Sequence, residues 1–261
     1  MGGLVTTVLR RLPASMRSVL LRKATAIADD RTRFQNGYPG MFGSLGNLRD
    51  AGFHPKGVVD VGANKGSWTY AAAAIFPEAR FHMIEAQPEL SDCLDAVTRT
   101  LRARAGYTIA LLGRERSEAV PFHTLGSGSS VFEELTDLQK GLITLPMVRL
   151  DDVPEVAALP KPLLIKLDVQ GYELEVLKGA EQVLANADVV LMEVSLLPFN
   201  KRAPLIAEVI AYMHERGYVA YDICSQKRRA SDRALFQMDV IFAREDSRLR
   251  MHRRFSRREP K

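Results

Sequence analysis

From residue 57 onward, short apolar runs alternate with amphipathic stretches, and this alternation restricts the fold more than any other feature of the chain. GVVDVGA reads as a buried strand and leads into a helix through TYAAAAIF. ARFHMIEA is a second strand, followed by a helix from about Glu89 to Ala105, and GYTIALLG is a third. PLLIKLDVQ, a helix through YELEVLKGAEQVLAN, the strand ADVVLMEVS and a helix in LIAEVIAYMHERG continue the pattern. Strands separated by helices build a parallel sheet, because a parallel pair needs a crossover long enough to return the chain to the same edge. YVAYDIC and ALFQMDVIFAR have no helix between them, so they pair as an antiparallel hairpin at one side of the sheet. EAVPFHTLGSGSSVFEEL breaks the rhythm and reads as a hairpin or edge element around a Gly/Ser loop. There is no internal repeat. One α/β domain spans residues 41–245, between a helical preamble (1–40) and a basic tail (246–261).

Composition narrows the setting. No apolar run approaches the roughly 18–20 residues that a membrane-spanning helix needs. Arginines interrupt each apolar stretch of MGGLVTTVLRRLPASMRSVLLRK before a signal-peptide core can form. In that preamble Val5, Leu9, Leu12, Met16, Val19 and Leu20 share one helical face, with a break at Pro13. Such a segment either packs across the domain or makes peripheral contact with an anionic membrane surface. The two cysteines, Cys93 and Cys224, show neither CxxC nor metal-type spacing and fit a reducing, cytoplasmic setting. The last 14 residues carry seven Arg/Lys and one Glu, so of the net charge of +5 the remainder of the chain holds about −1. A near-neutral body with a basic tail argues against a dedicated nucleic-acid surface.

The turn after the first strand, VDVGANKGSW, decides among ligands. A loop at the carboxyl edge of a parallel sheet is where such folds bind them. A P-loop needs G-x-x-x-x-G-K-[ST], and Gly66 comes one residue early and precedes Ser-Trp. The dinucleotide pattern G-x-G-x-x-G has Asn64 in place of the second glycine, which is the residue that admits a pyrophosphate. What remains is D-x-G-x-x-x-G. Asp60 stands ready for an ammonium group, and the backbone at Gly62, Asn64 and Gly66 for a carboxylate and a ribose. Glu85, ending the second strand, is placed to accept both ribose hydroxyls. An amino acid joined to a nucleoside satisfies these demands together, and S-adenosylmethionine is such a molecule. Ala110, in the third strand, completes the expected cofactor set.

LLIKLDVQGYELEVLKGAEQVL (163–184) resembles the most diagnostic motif of the FkbM-type S-adenosylmethionine-dependent methyltransferases. FGSLGNLRDAGFHPKGVVDVGANKGSW, VRLDDV and VVLMEVS are similar to further family patterns, and the resemblance covers about residues 40–245. It implies the class I methyltransferase sheet, a Rossmann-like α/β fold of seven strands, six parallel and one antiparallel, with helices on both faces. It also implies methyl transfer, usually to a hydroxyl of a sugar, glycolipid or polyketide-like acceptor.

A hydroxyl acceptor needs a base or a metal, because a protonated alcohol is a poor nucleophile. Asp168 ends the fourth strand, Glu193 ends the fifth, and Glu173 begins the following helix, so three acids converge on one edge. They form either a base with its supports or a divalent-metal site, such as one for magnesium, with Asp168 and Glu193 as ligands. Catechol-type O-methyltransferases hold magnesium at these two strand ends, but here Val194 and Ser195 follow without the further ligand expected. Glu173 reads equally as a helix N-terminal charge. Lys166, inside an apolar strand, needs an acid to pair with. His123 lies in a loop on the acceptor side and has the pKa range of a general base, while Ser129 and Ser130 belong to a candidate lid. An NAD-type oxidoreductase, a non-catalytic nucleoside-binding module and, because of the tail, an RNA methyltransferase are the competing readings.

Overall fold

The computed structural model describes residues 40–125, 128–133, 135 and 141–251. The expected preamble helix and residues 252–261 of the tail lie outside them. Seven strands form the main sheet: β1 (Gly57–Val61), β2 (Arg80–Glu85), β3 (Ala105–Ile109), β7 (Leu163–Leu167), β8 (Val189–Ser195), β9 (Tyr218–Arg228) and β10 (Leu235–Arg244). Their order is β3-β2-β1-β7-β8-β10-β9. β10 runs antiparallel to both of its neighbours, and the remaining strand pairs are parallel. This is the class I methyltransferase arrangement, six strands one way and one the other. Every residue of β1 and β7 is buried, as their unbroken apolar runs require of strands covered on both faces.

The helices divide between the two faces. α1 (Met41–Asp50), α2 (Ser67–Ile75) and α3 (Ser91–Leu101) pack Leu45, Leu48, Ala72, Leu94 and Val97 into one core cluster. Behind the other face, α4 (Pro154–Ala157), α5 (Glu173–Lys178), α6 (Glu181–Asn186) and α7 (Ile206–His214) contribute Val156, Leu177, Leu184 and Met213 to a second. Among the described residues no helix is long and apolar enough to cross a membrane.

Three expectations are corrected. The helix expected through YELEVLKGAEQVLAN is two helices, α5 and α6. A Cβ on Gly179 between them would sit 2.0 Å from the Gly113 carbonyl oxygen, so the chain bends where only glycine fits. The Asp151 carboxylate then accepts from the Gln182 and Val183 N–H groups at 3.0–3.1 Å and starts α6 afresh. The second crossover helix stops at Leu101, short of Ala105, which already belongs to β3. The third strand also breaks. β3 ends at Ile109, Ala110 donates its N–H to the Glu85 carbonyl at 2.9 Å, and the chain leaves the main sheet. It continues as β4 (Leu111–Leu112), which pairs with β6 (Gly141–Val148), itself antiparallel to β5 (Ser117–Thr124). The Gly/Ser-rich insertion is thus part of a small three-stranded sheet standing over the carboxyl edge of the main one.

Candidate active site

A cavity of about 260 Å³ opens at the carboxyl ends of β1, β2 and β7. Its floor is the β1–α2 turn (Gly62, Ala63, Asn64), and Ile84, Ala110, Leu111, Leu112 and Val176 give it an apolar slot. Phe122, Ser129 and Val131 close it from the insertion. Two carboxylates line it, Glu85 and Asp168. They end strands two positions apart in the sheet, which separates them laterally by about 10 Å.

The turn is held by its neighbours. Gly62 has φ +72°, and a Cβ there would lie 2.0 Å from the Asp168 carbonyl oxygen, so β1 and β7 can close together only with glycine at this point. Gly66 has φ +69° and packs against Met83, Leu94 and Val97, away from the cavity wall. Glu85 Oε2 accepts the Asn64 N–H at 2.7 Å, and Oε1 accepts the Gln87 N–H at 3.0 Å. One buried carboxylate therefore fixes the relative position of both loops that frame the cavity. Asp60 is fully buried and does not line the cavity. Its Oδ2 accepts from the Thr69 hydroxyl at 2.7 Å, and Oδ1 lies 3.0 Å from Lys166 Nζ. The ammonium that meets Asp60 belongs to the protein. Lys166 itself faces the cavity and donates to the Gly62 carbonyl at 3.0 Å. Burial works against its charge, but Asp60, and Asp168 after it, raise its pKa above the ordinary lysine value. Trp68 is buried, lines the cavity, and donates its indole N–H to Met41 Sδ at 3.0 Å.

At the β7–β8 end the acids form a network. Gln170, in a left-handed conformation (φ +57°), donates from Nε2 to Asp168 Oδ1 at 2.8 Å and to Glu193 Oε2 at 2.7 Å. Lys227, from the outer strand β9, reaches Glu193 Oε1 at 2.5 Å. Asp239 on β10 stands opposite Glu193 in register and accepts from the Ser225 hydroxyl. Burial alone would raise the Asp168 carboxyl, but Lys166 and Lys227 outweigh it and hold that carboxyl below its ordinary range. Burial and the neighbouring Asp168 charge push Glu193 well up, against the pull of Lys227. Burial raises Asp239 as well.

Three expected catalytic residues stand off the cavity wall. Glu193 lies behind Asp168 and Gln170. Glu173 is buried, and its Oε1 accepts the N–H groups of Val169 (2.9 Å) and Gly171 (3.2 Å), which cinches the loop after β7. Burial pushes its carboxyl up to about 7 despite those bonds. His123 pairs through its backbone with Ser130, and Phe122 beside it is the residue that faces the cavity. Ser130 donates its hydroxyl to the Gln170 carbonyl at 3.0 Å, and Asn200 donates its amide to the same oxygen at 2.6 Å.

A comparison with known protein families matches residues 60–220 to the methyltransferase FkbM domain. The chain belongs to the FkbM methyltransferase domain family. A curated relative, the hexuronic acid methyltransferase AglP of Haloferax volcanii, is 38% identical over 55 residues, 21% of this chain and 23% of that protein. The match therefore spans about a quarter of the relative's length. Among solved structures, precorrin-6y C5,15-methyltransferase from Geobacter metallireducens aligns at 15% identity over 75% of this chain and 84% of its own, with a TM-score of 0.42. Magnesium protoporphyrin IX methyltransferase from Synechocystis, with bound S-adenosylmethionine, aligns at 9% identity over 84% and 83%, with a TM-score of 0.43.

FkbM domains are S-adenosylmethionine-dependent, and the cavity suits that molecule: an apolar slot for a purine, with Glu85 at one end for a diol. The acids at the other end do not suit a divalent metal. Both oxygens of Glu193 already face N–H donors, Lys227 and Gln170, and those of Asp168 face Gln170 and, at 3.8 Å, Lys166. Three members of this network, Gln170, Lys227 and Asp239, are absent from the sequence expectations. Gln170 carried no signal beyond its place before a glycine. For Lys227 and Asp239 the signal was faint: charged residues within the last two strands, whose partners lie on other strands of the sheet.

Proposed function

We propose that the chain is an O-methyltransferase acting on a hydroxyl of a carbohydrate acceptor, with Asp168 as general base. The observation that carries this reading is the position of Asp168. It is a carboxylate in the cavity wall, kept ionised by Lys166 and Lys227, about 10 Å from Glu85. The acceptor class is supported by the curated relative, whose name specifies a hexuronic acid.

In this reading Glu85, Gly62, Asn64 and Ala110 hold the nucleoside and amino-acid parts of S-adenosylmethionine. Asp60 contributes through Lys166, and Gly66 by shaping the turn. When bound, the cofactor supplies an electrophilic methyl group on a sulfonium. Asp168 accepts a hydrogen bond from the acceptor hydroxyl, orients its lone pair, and takes the proton as the oxygen becomes bonded to carbon. A carboxylate of low pKa is sufficient, because an alcohol oxygen that gains a third substituent as the methyl leaves the sulfur takes on positive charge, and its proton becomes strongly acidic. Gln170 holds Asp168 in place, Glu193 and Lys227 set its electrostatic surroundings, and Glu173 fixes the loop that carries it. Tyr172, Phe122 and Val131 exclude water. Alignment in such a site supplies a large part of the acceleration, roughly 7–11 kcal/mol in favourable intramolecular cases.

The test has two parts. S-adenosylhomocysteine at about 100 times its dissociation constant should stabilise the protein by about 2.7 kcal/mol, where NAD and ATP leave it unmoved. Release of S-adenosylhomocysteine is then followed with neutral and uronic saccharides as acceptors. Asp168→Asn should lower kcat by about 10²–10⁴ with cofactor affinity retained. An unchanged kcat removes Asp168 from the chemistry.

A further inference from the structure

Two consecutive serines of the insertion are tied to opposite ends of the cavity. Ser129 lines the cavity, donates its hydroxyl to Gln87 Oε1 at 3.2 Å and accepts the Leu125 N–H at 2.8 Å. Ser130 is 1% exposed, donates to the Gln170 carbonyl at 3.0 Å and accepts the Phe132 N–H at 3.2 Å. The Ser130 backbone also exchanges two hydrogen bonds with His123 on β5, at 2.8 and 3.0 Å, which fixes the pair to a strand. Gln87 belongs to the loop after β2, which ends in Glu85, and Gln170 to the loop after β7, which carries Asp168. One dipeptide therefore connects the segment beside the diol acid with the segment beside the general base.

Glu85 has fewer open positions than its role needs. A carboxylate offers about four lone-pair sites. Among the described residues, the Gln87 N–H (3.0 Å) and Gln87 Nε2 (3.2 Å) meet Oε1, and the Asn64 N–H (2.7 Å) meets Oε2. A vicinal diol donates two hydrogen bonds, so its second hydroxyl arrives where Gln87 Nε2 now stands. That bond is the longest of the three. A hydroxyl placed between the two groups donates to Glu85 and accepts from the Gln87 amide. The Gln87 carboxamide is then held by the diol through its nitrogen and by Ser129 through its oxygen. Gln87 is 6% exposed, and a buried amide left without a partner bears its full desolvation cost, so the carboxamide follows the hydroxyl it binds.

We propose that Gln87 is a positioning residue that contacts the second ribose hydroxyl of the cofactor and, through Ser129 and Ser130, sets the loop that carries Asp168. The proposal rests on the reading of Glu85 as the acceptor of that diol. The base is then fully positioned only when the nucleoside is in place. Asn200 donates to the same Gln170 carbonyl at 2.6 Å from the loop after β8, and it keeps the Asp168 loop folded when the serine connection is cut.

Amide hydrogen exchange of the full chain is measured with and without S-adenosylhomocysteine at about 100 times its dissociation constant. In the wild type the ligand should slow exchange at His123 and Ser130, and also at Val169 and Gly171, by up to roughly a hundred-fold. Ser130→Ala should bind S-adenosylhomocysteine as tightly as the wild type, keep the slowing at His123, and lose it at Val169 and Gly171. Should that variant fail to fold, Ser129→Ala cuts the same connection one residue earlier and should lose the slowing at Val169 and Gly171. Gln87→Ala should weaken S-adenosylhomocysteine roughly three- to ten-fold and abolish the slowing at both segments even at saturation. The proposal is overturned if bound ligand leaves Val169 and Gly171 unchanged in the wild type, or if Gln87→Ala keeps both affinity and slowing. It is equally overturned if the slowing at Val169 and Gly171 persists in the serine variants, because the ligand then acts on that loop directly. Failure of the diol reading is separate: Glu85→Gln would then bind S-adenosylhomocysteine as tightly as the wild type, whatever the exchange pattern.

Discussion

At the β1–β2 end of the cavity, Asp60 and Glu85 have their oxygens assigned to donors within the protein: a hydroxyl, a lysine and two backbone N–H groups. At the β7–β8 end, Asp168, Glu193 and Asp239 share Lys227 and whatever Lys166 does not give to Asp60. Glu85 uses its charge to set geometry, tying two loops to one strand end. In the second trio Lys166 and Lys227 hold Asp168 low against burial, while burial first and the Asp168 charge after it push Glu193 and Asp239 up. A binding end benefits from fixed donors that do not change with pH. For the proton transfer we propose at Asp168, the charge has to be maintained by the surroundings, and a lysine that meets both ends contributes to it.

That shared cation is the sharpest point at which to break the comparison. Lys166→Met leaves Asp60 buried without a counter-charge and should cost about 3–5 kcal/mol. In thermal unfolding that is a drop on the order of ten degrees. A loss below about 1 kcal/mol would mean that Asp60 does not depend on Lys166 and that the two ends are independent. Gly62→Ala probes the covalent side of the same junction. Its Cβ would meet the Asp168 carbonyl at 2.0 Å in a backbone conformation that L-residues avoid. Roughly 2–3 kcal/mol of destabilisation is expected, with weakened S-adenosylhomocysteine binding in the same titration. Retained affinity would show that the turn is not held by contact with β7.

The smallest effect concerns Glu173, whose carboxyl is pushed up to about 7 by burial. Its folded pKa lies above the unfolded value, so its contribution to stability is complete below the unfolded pKa of 4.5. That contribution is lost as pH rises through about 7. The loss is at most about 3 kcal/mol. Glu173→Gln keeps an oxygen for the Val169 and Gly171 N–H groups and removes the titration. Denaturant unfolding at several pH values should therefore give a flatter curve for the variant, with the two proteins converging at low pH. Parallel curves would clear Glu173 of any part in the pH dependence.

Local pattern was enough to place strands, crossovers, the glycine turn and Asp168, because each depends on periodicity or spacing within one short segment. A strand that is apolar throughout must be covered on both faces, and a residue that ends it must stand at the carboxyl edge. The same logic failed where a residue's role depends on a distant partner. Asp60 sits opposite Lys166 in the β1–β7 register, and Asp239 opposite Glu193 in the β10–β8 register. Gln170 reaches both carboxylates because the loop after β7 is pinned by Ser130 and Asn200 from two other segments. The place at the start of a helix near Asp168 pointed to Glu173 without revealing that the acid accepts N–H groups of the loop before it. Sequence determined which groups arrive at the edge of the sheet. The tertiary structure decided which of them are already paired and which face the cavity, because strand register and loop docking are set by packing between residues far apart in the chain.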